Sequence, residues 1–437
     1  MSGSSGRERR IVTALFAAGL TTFASMYSAQ ALLPSLAAAF GVAPARAALA
    51  VSLTTGFLAL AIIPVSALSG RFGRTRVMVW SAAVSAAIGL LLPLAPTLDV
   101  LLAARAVQGI TLAGVPAVAM AYLAEEIDAG RLGAAMGVYV SGTTLGGLTG
   151  RLIPAFALDH TSWRWAQALI AVIGALCTVW FVRALPASRG FRPRTSGAGR
   201  DLVAQLREPR LLALFTLAFV LMGGFVSVYN YLGFRLLAAP FGLPASVAGL
   251  VFVLYLAGTV ASTTAGRLAD RFGRGPVLAG SVALTGFGAA LSLPDRLPLV
   301  LAGILLFTAG FFGAHAVASA WVGAAAARGN RAAASSLYLF CYYLGSAVLG
   351  GLSGLAFAEF GWGGLVAGVG VLLVLAGCGG GCGSGGEGRG GGGVGRGGAV
   401  GQLAPRGAFC APERGPSRAP PHTQQRHQRG SAPPNRS

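Results

Sequence analysis

The sequence predicts an all-helical membrane protein whose twelve spanning helices form two pseudo-symmetric six-helix halves. Three observations predict it: a composition too apolar for a soluble surface, long apolar runs that recur along the chain, and short motifs that repeat about 200 residues apart. Hydrophobic residues make up 54% of 437 positions and charged residues only 11%, so an ordinary charged surface cannot be built and the solvent must be largely lipid.

A spanning helix needs about 20 predominantly apolar residues. Runs of this kind occupy 11–33, 47–69, 77–95, 99–123, 132–157, 164–184, 211–234, 247–267, 276–294, 298–321, 332–357 and 362–377. The first is long enough to stay in the bilayer, so it reads as a span and not as a cleaved leader. A polar stretch at 186–209 divides the runs six and six. The expected organisation is therefore a first half at 1–185, a cytoplasmic linker at 186–209 and a second half at 210–377.

The net charge is +20, and all 33 basic residues are arginine. In a soluble protein that total would suggest nucleic acid, but the placement argues against it. Nineteen arginines fall in one alternating set of connections: Arg7, Arg9, Arg10, Arg71, Arg74, Arg76, Arg131, seven between Arg183 and Arg210, Arg267, Arg271, Arg274, Arg328 and Arg331. The opposite connections hold Arg46, Arg164, Arg235 and Arg296, balanced by Asp99, Asp159, Asp295 and Glu359. The positive-inside rule then puts both termini in the cytoplasm, which only an even number of spans allows. Five scattered cysteines build no disulfide framework. Cys378 and Cys382, four apart, lack the further ligands of a zinc site, and we expect no metal or cofactor.

Two repeats fix the relation between the halves. Arg71-Phe72-Gly73-Arg74 recurs as Arg271-Phe272-Gly273-Arg274, an offset of 200, and Leu145-Gly146-Gly147-Leu148-Thr149-Gly150 recurs as Leu349-Gly350-Gly351-Leu352-Ser353-Gly354, an offset of 204. Together they map spans 2, 3 and 5 onto spans 8, 9 and 11, as expected for parallel repeats.

At these residues the chain resembles the major facilitator superfamily. Gly266 to Arg274, reading GRLADRFGR, is similar to that family's loop signature GxLaDRxGRr. The first-half copy, Ser66 to Arg74, replaces the leading glycine and the acid by Ser66 and Gly70. Leu101 to Gly109 resembles the RxxqG signature of the proton-coupled members, and Gly142 to Gly150 is similar to the glycine-rich motif of the efflux branch. The resemblance covers residues 11 to about 377 and points to the drug- and arabinose-efflux-like permeases. It implies a monomer in the bacterial inner membrane that moves a small molecule by alternating access, with proton-coupled efflux as the direction. It also implies a cytoplasmic gate at Arg71, Gly73, Arg74, Gly266, Asp270, Arg271, Gly273 and Arg274.

Charged groups inside a membrane are costly and therefore mark candidate sites. Arg105 and Arg151 are the charged residues well inside the spans. Arg105, with Gln108 beside it in the same signature, reads either as a coupling or substrate residue or as a structural arginine held by helix carbonyls. Arg151 reads as a site residue or a brace. Midspan positions carry no Asp or Glu, so His315, the one intramembrane histidine, is the candidate proton carrier, with a packed neutral imidazole as its other reading. Tyr27 and Gln30 on span 1 and Tyr229 and Asn230 on span 7 hold corresponding places and offer hydrogen-bonding groups to a central cavity, interfacial anchoring being the alternative. A cavity with fixed positive charge and no acid favours anionic or neutral amphipathic substrates over polycations. In the outward-facing state Asp270 is expected to approach the first turn of span 5, where free N–H groups attract a carboxylate; Gly70 cannot do the same toward span 11.

Residues 378–437 are Gly-, Pro- and Arg-rich and cannot bury enough apolar surface to fold. The change of composition cuts into span 12, leaving about 16 apolar residues, roughly 24 Å against a bilayer core of about 30 Å. We expect a shift of reading frame there, a flexible basic tail being the alternative. Other functions on the same sequence are uptake, a transport-dead sensor, and an integral-membrane transferase. The last needs paired acids or a nucleophile–base set at a membrane face, and neither is found.

Overall fold

Among the residues described by a computed structural model, 2–189, 198–326 and 331–381, every regular element is a helix. The first half consists of α1 (Ser2–Tyr27), α2 (Leu33–Phe40), α3 (Pro44–Phe72), α4 (Arg74–Leu91), α5 (Leu98–Leu112), α6 (Gly114–Glu126), α7 (Ala129–Leu158) and α8 (Trp163–Ala184). The second contains α9 (Ala198–Gln205), α10 (Pro209–Leu237), α11 (Ala245–Gly249), α12 (Tyr255–Phe272), α13 (Arg274–Leu291), α14 (Leu297–Ala325) and α15 (Arg331–Gly381). Helices such as Pro44–Phe72, Pro209–Leu237 and Leu297–Ala325 are long and apolar enough to cross a membrane.

The expected spans map onto these elements with three instructive differences. Span 1 is not continuous: α1 stops at Tyr27, residues 28–32 form turns, and α2 starts with Pro34 in its first turn, where a missing N–H costs nothing. Spans 11 and 12 run together as α15, with one non-helical residue, Gly361 (φ 61°, ψ −154°), marking the corner. The last helix continues to Gly381, four residues past its expected end at 377. Those four residues are Cys378 and three glycines, so the helix lengthens while its apolar part still ends at Gly377. The rest of the proposed tail, 382–437, and linker residues 190–197 lie outside the described residues.

Glycine sets how closely the helices of each half approach. A Cβ added at Gly142, Gly146 or Gly150 of α7 would sit 2.5, 2.2 and 2.5 Å from the backbone oxygens of Phe16, Leu20 and Ala24 on α1. Only a hydrogen there lets the backbones meet, the packing rule of helices that lack a hydrophobic drive to associate. In the second half Gly345 of α15 meets the Phe219 oxygen of α10 in the same way, but the next rung is reversed: Leu349 fills a notch at Gly223. Gly146 against Leu20 thus corresponds to Leu349 against Gly223, an offset of 203 and not the 204 of the sequence repeat. One residue turns a helix by about 100°, which sets Gly350, Gly351 and Gly354 where α15 faces α3 of the first half as well as α10, with Gly350 beside Val226 and Asn230 and Gly354 against the Tyr231 hydroxyl. There Gly350 and Gly351 lie beside Ser52, and Gly354 lies against Ala45.

Candidate functional site

The site begins where α1 breaks. Arg105 of α5 is 1% exposed and spends its fork on that break: Nη1 donates to Ser25 O (2.8 Å) and Nη2 to Met26 O (2.7 Å). Its Nε donates to Ala50 O of α3 (3.0 Å), and Nη1 also reaches Gln108 Oε1 (2.7 Å). Gln108 in turn donates from Nε2 to Ser85 O of α4 (3.1 Å). A cation is well placed at the end of a helix, where carbonyls lack intrahelical partners. The geometry is that of an arginine held by helix carbonyls, and its consequence is to fix the turn that presents Tyr27 and Gln30.

From that turn a polar chain crosses between the halves. Arg151 of α7, 2% exposed, donates from Nε to Gln30 Oε1 (2.6 Å) and from Nη1 to the Gly147 carbonyl one turn earlier. Gln30 Nε2 donates to Asn230 Oδ1 of α10 (2.7 Å). Three ring faces enclose the guanidinium, its carbon lying 4.0 Å from the centroid of Tyr27, 4.6 Å from Tyr255 and 5.3 Å from Phe252. The structure therefore unites Tyr27, Gln30, Asn230 and Arg151. Tyr229 points elsewhere: its hydroxyl meets Thr308 Oγ1 of α14 (2.7 Å), and its ring joins a cluster with Phe225, Phe252 and Tyr255. Phe252 and Tyr255 were missed in the sequence. Their three-residue spacing at the start of span 8 was the available signal, because it puts two rings on one helical face.

His315 of α14 belongs to a separate aromatic box. Its Nδ1 lies 2.9 Å from Tyr338 Oη, with Phe311 stacked on one side and the Tyr342 ring 4.7 Å away. Neither Arg105 nor His315 touches the Arg151 guanidinium among the described residues.

Two further arginines that the sequence assigned to outer loops also act as braces. Arg235 is buried, donates to the carbonyls of Ser292, Leu293 and Pro294 beyond α13, and pairs with Asp295 (2.9 Å). Arg164 donates to Pro93 O and Ala95 O (2.7 and 2.9 Å).

At the gate motif, Gly73 (φ 99°) and Gly273 (φ 88°) make the same sharp turn between helices. Arg74 is buried and donates to Ser69 Oγ (2.6 Å) and Glu125 (3.0 Å). Gly266 is half-buried, and Arg71, Asp270, Arg271 and Arg274 are exposed, with Arg71 and Arg271 each lying over the phenylalanine that follows. Asp270 makes no ion pair or side-chain hydrogen bond among the described residues, so the expected approach to α7 is not made in this conformation.

The halves instead meet along the opposite part of α7. Arg151 lies over Tyr255, Ala155 leaves no room for a side chain at Gly249, and Asp159 accepts the Ser246 backbone N–H at 3.2 and 3.3 Å. Arg151 and Ala155 share one face of α7 and Asp159 follows at the same spacing at its C-cap, so the three contacts form a continuous seam. Ser246, through its hydroxyl and its backbone N–H, holds the Asp159 carboxyl below the usual carboxylate range. Ser346 of α15 donates to Thr55 Oγ1 of α3 across the other pair of helices (3.2 Å).

The family model of the Major Facilitator Superfamily matches residues 15–237 and 232–379. The chain is 41% identical over 371 residues to the inner membrane transport protein YnfM of Escherichia coli (strain K12), covering 84% of this chain and 88% of that protein. It is 38% identical over 371 residues to the MFS-type transporter YybF of Bacillus subtilis (strain 168), covering 84% and 92%. In fold it is similar to a bacterial homolog of the human lysosomal transporter Spinster in an inward-facing, unoccupied conformation, with a TM-score of 0.70 at 16% identity over 85% of this chain and 96% of that one. The nucleoside transporter NupG gives a TM-score of 0.70 at 12% identity over 84% and 98%. The chain belongs to the major facilitator superfamily: it is a multi-pass membrane transporter, not an enzyme.

Proposed function

We propose that this protein is a proton-coupled exporter that moves a small amphipathic molecule across the bacterial inner membrane by alternating access, as a monomer with both termini cytoplasmic. The halves are 1–185 and 210–377, joined by the cytoplasmic linker 186–209. The observation that carries the reading is the buried chain Arg151, Gln30, Asn230, which joins α7 and the α1 break to α10 at the centre of the molecule. A polar link across two packed halves is costly, because each member must be desolvated, and a costly group kept inside a membrane marks a functional site. With the arginine-rich face cytoplasmic, the seam from Arg151 to Asp159 closes the outer side, and the exposed Asp270, Arg271 and Arg274 lie on the inner side. The conformation described is then inward-facing, the state in which Asp270 is released from α7.

In this reading Arg105 and Gln108 hold the α1 break and so place Tyr27 and Gln30, while His315 with Tyr338 carries the proton. Inverted membrane vesicles energised with a proton gradient test it. A transported compound partly collapses the gradient in wild type, and Arg105→Ala, folded but without the brace, shows much less. His315→Ala is expected to shift the pH dependence of flux; an unaltered profile removes His315 from the proton route. Binding without flux in wild type would favour a sensor, and gradient-driven accumulation toward the cytoplasmic face would favour uptake.

A further inference from the structure

The Arg151 site has more hydrogen-bond donors and positive charge than it has acceptors to match. Arginine is always a donor, so its contact fixes Gln30 with Oε1 toward Arg151 and Nε2 toward Asn230. Asn230 must then present Oδ1 to Gln30, which leaves its Nδ2 as the free end of the chain; that atom is buried and has no partner among the described residues. No carboxylate pairs with Arg151 among the described residues, and its neighbours are an amide oxygen, a carbonyl and three aromatic faces. Buried charges are ordinarily paired, and ring faces repay only part of the desolvation.

We propose that Arg151 is the charge-recognition residue of the substrate site and that the cargo is a small monoanion, a carboxylate on an aromatic or lipophilic body. This deepens the transport reading above and rests on it. The carboxylate takes the Arg151 fork, the donor geometry best matched to two coplanar oxygens. The apolar body takes the faces that Tyr27, Phe252 and Tyr255 now turn to the cation. Asn230 Nδ2 supplies a further donor to an acceptor-rich ligand. In the present conformation a water-sized cavity of about 30 Å³, lined by residues that include Gln30, Ala155, Gly249 and Phe252, adjoins the network. A ligand that draws Arg151 away from Tyr255 therefore loosens the first rung of the seam that continues through Ala155 to Asp159. Charge recognition and opening of the outer side are in this way the same movement.

The test uses the purified full chain in detergent and three probes with one body and different charge: 2-naphthoate, 2-naphthamide and 2-naphthylmethylammonium. Wild type is expected to bind the carboxylate at least about tenfold more tightly than the amide, a difference of about 1.4 kcal/mol, and the ammonium most weakly. Arg151→Gln should reduce the carboxylate-to-amide ratio to about one while amide binding persists, and Arg151→Lys should keep the sign of the preference with a smaller ratio. Equal binding of the three probes by wild type, a preference for the ammonium, no binding of any probe, or an unchanged ratio in a folded Arg151→Gln would each overturn the proposal. The transport reading fails separately. It is read as gradient-driven flux, and flux of a neutral or cationic compound would leave it standing while removing the anion.

Discussion

The two copies of the Arg-Phe-Gly-Arg turn have the same backbone and different anchors. Gly73 and Gly273 adopt nearly the same conformation (φ 99°, ψ 142° and φ 88°, ψ 155°), each ending one helix and starting the next. Arg74 is then tied within its own half to Ser69 and Glu125, whereas Arg274 is exposed and makes no ion pair among the described residues. The residues that differ explain this: Ala269 stands where Ser69 stands, and α14 ends in alanines where α6 ends in Glu125 and Glu126. The missing acid at Gly70 therefore does not leave the first turn unanchored, because another helix supplies one. The second turn keeps its acid, Asp270, but commits it to nothing inside its own half. A repeated motif can thus be a fixed joint in one half and a free contact in the other.

The shared backbone predicts the largest effect. Gly73→Ala and Gly273→Ala each place a side chain at a φ that L residues rarely adopt, and each should destabilise the folded protein by up to about 3 kcal/mol. Thermal unfolding in detergent checks it, and clearly unequal losses would mean that the turns are not alike. Next comes the anchor. Arg74→Ala should cost about 1–2 kcal/mol, since its ion pair with Glu125 is only partly buried, while Arg274→Ala should stay within about 0.5 kcal/mol. Equal destabilisation would erase the distinction between joint and free contact.

Smaller effects concern the balance of states. Asp270→Asn should lower the outward-facing fraction about twofold to fivefold with no loss of stability, the effect of one carboxylate at a helix N-terminus. Spin labels on the inner ends of α7 and α12 would read it, and an unchanged distance distribution would dismiss the Asp270 latch. The smallest expected effect is on the outer seam. Ser246 depresses the Asp159 carboxyl in the closed state, so this contact contributes to closure above the ordinary carboxylate range and is lost as the outer pH falls through the depressed value. The distance between spin labels at the exposed positions Phe156 and Val247, on the two sides of the seam, should lengthen on strong acidification in wild type and should lose that pH dependence in Asp159→Asn.

Some of this was legible from composition and periodicity. The runs of apolar residues, the alternation of arginine between connections and the repeated turn motif are local or one-dimensional signals, and they led to the superfamily, the helical architecture and the list of buried polar residues. Arg151, Gln30, Asn230 and Tyr27 were recognisable because a polar side chain inside lipid needs a reason wherever it points.

The tertiary structure decided the partners, which depend on rotation about each helix axis and on which helices become neighbours. The sequence repeat at 204 misaligned span 11 by one residue, and the packing of Leu349 into Gly223 set its glycines facing the other half as well as α10. The break at Tyr27 carries no strong local signal. It is fixed by Arg105, 79 positions away from Met26, whose carbonyl it holds. Phe252 and Tyr255 became site residues only when α7 was laid against them. Hydropathy places a residue at a depth in the bilayer, but the face it presents and what it meets there follow from close contacts between distant segments, which no local pattern records.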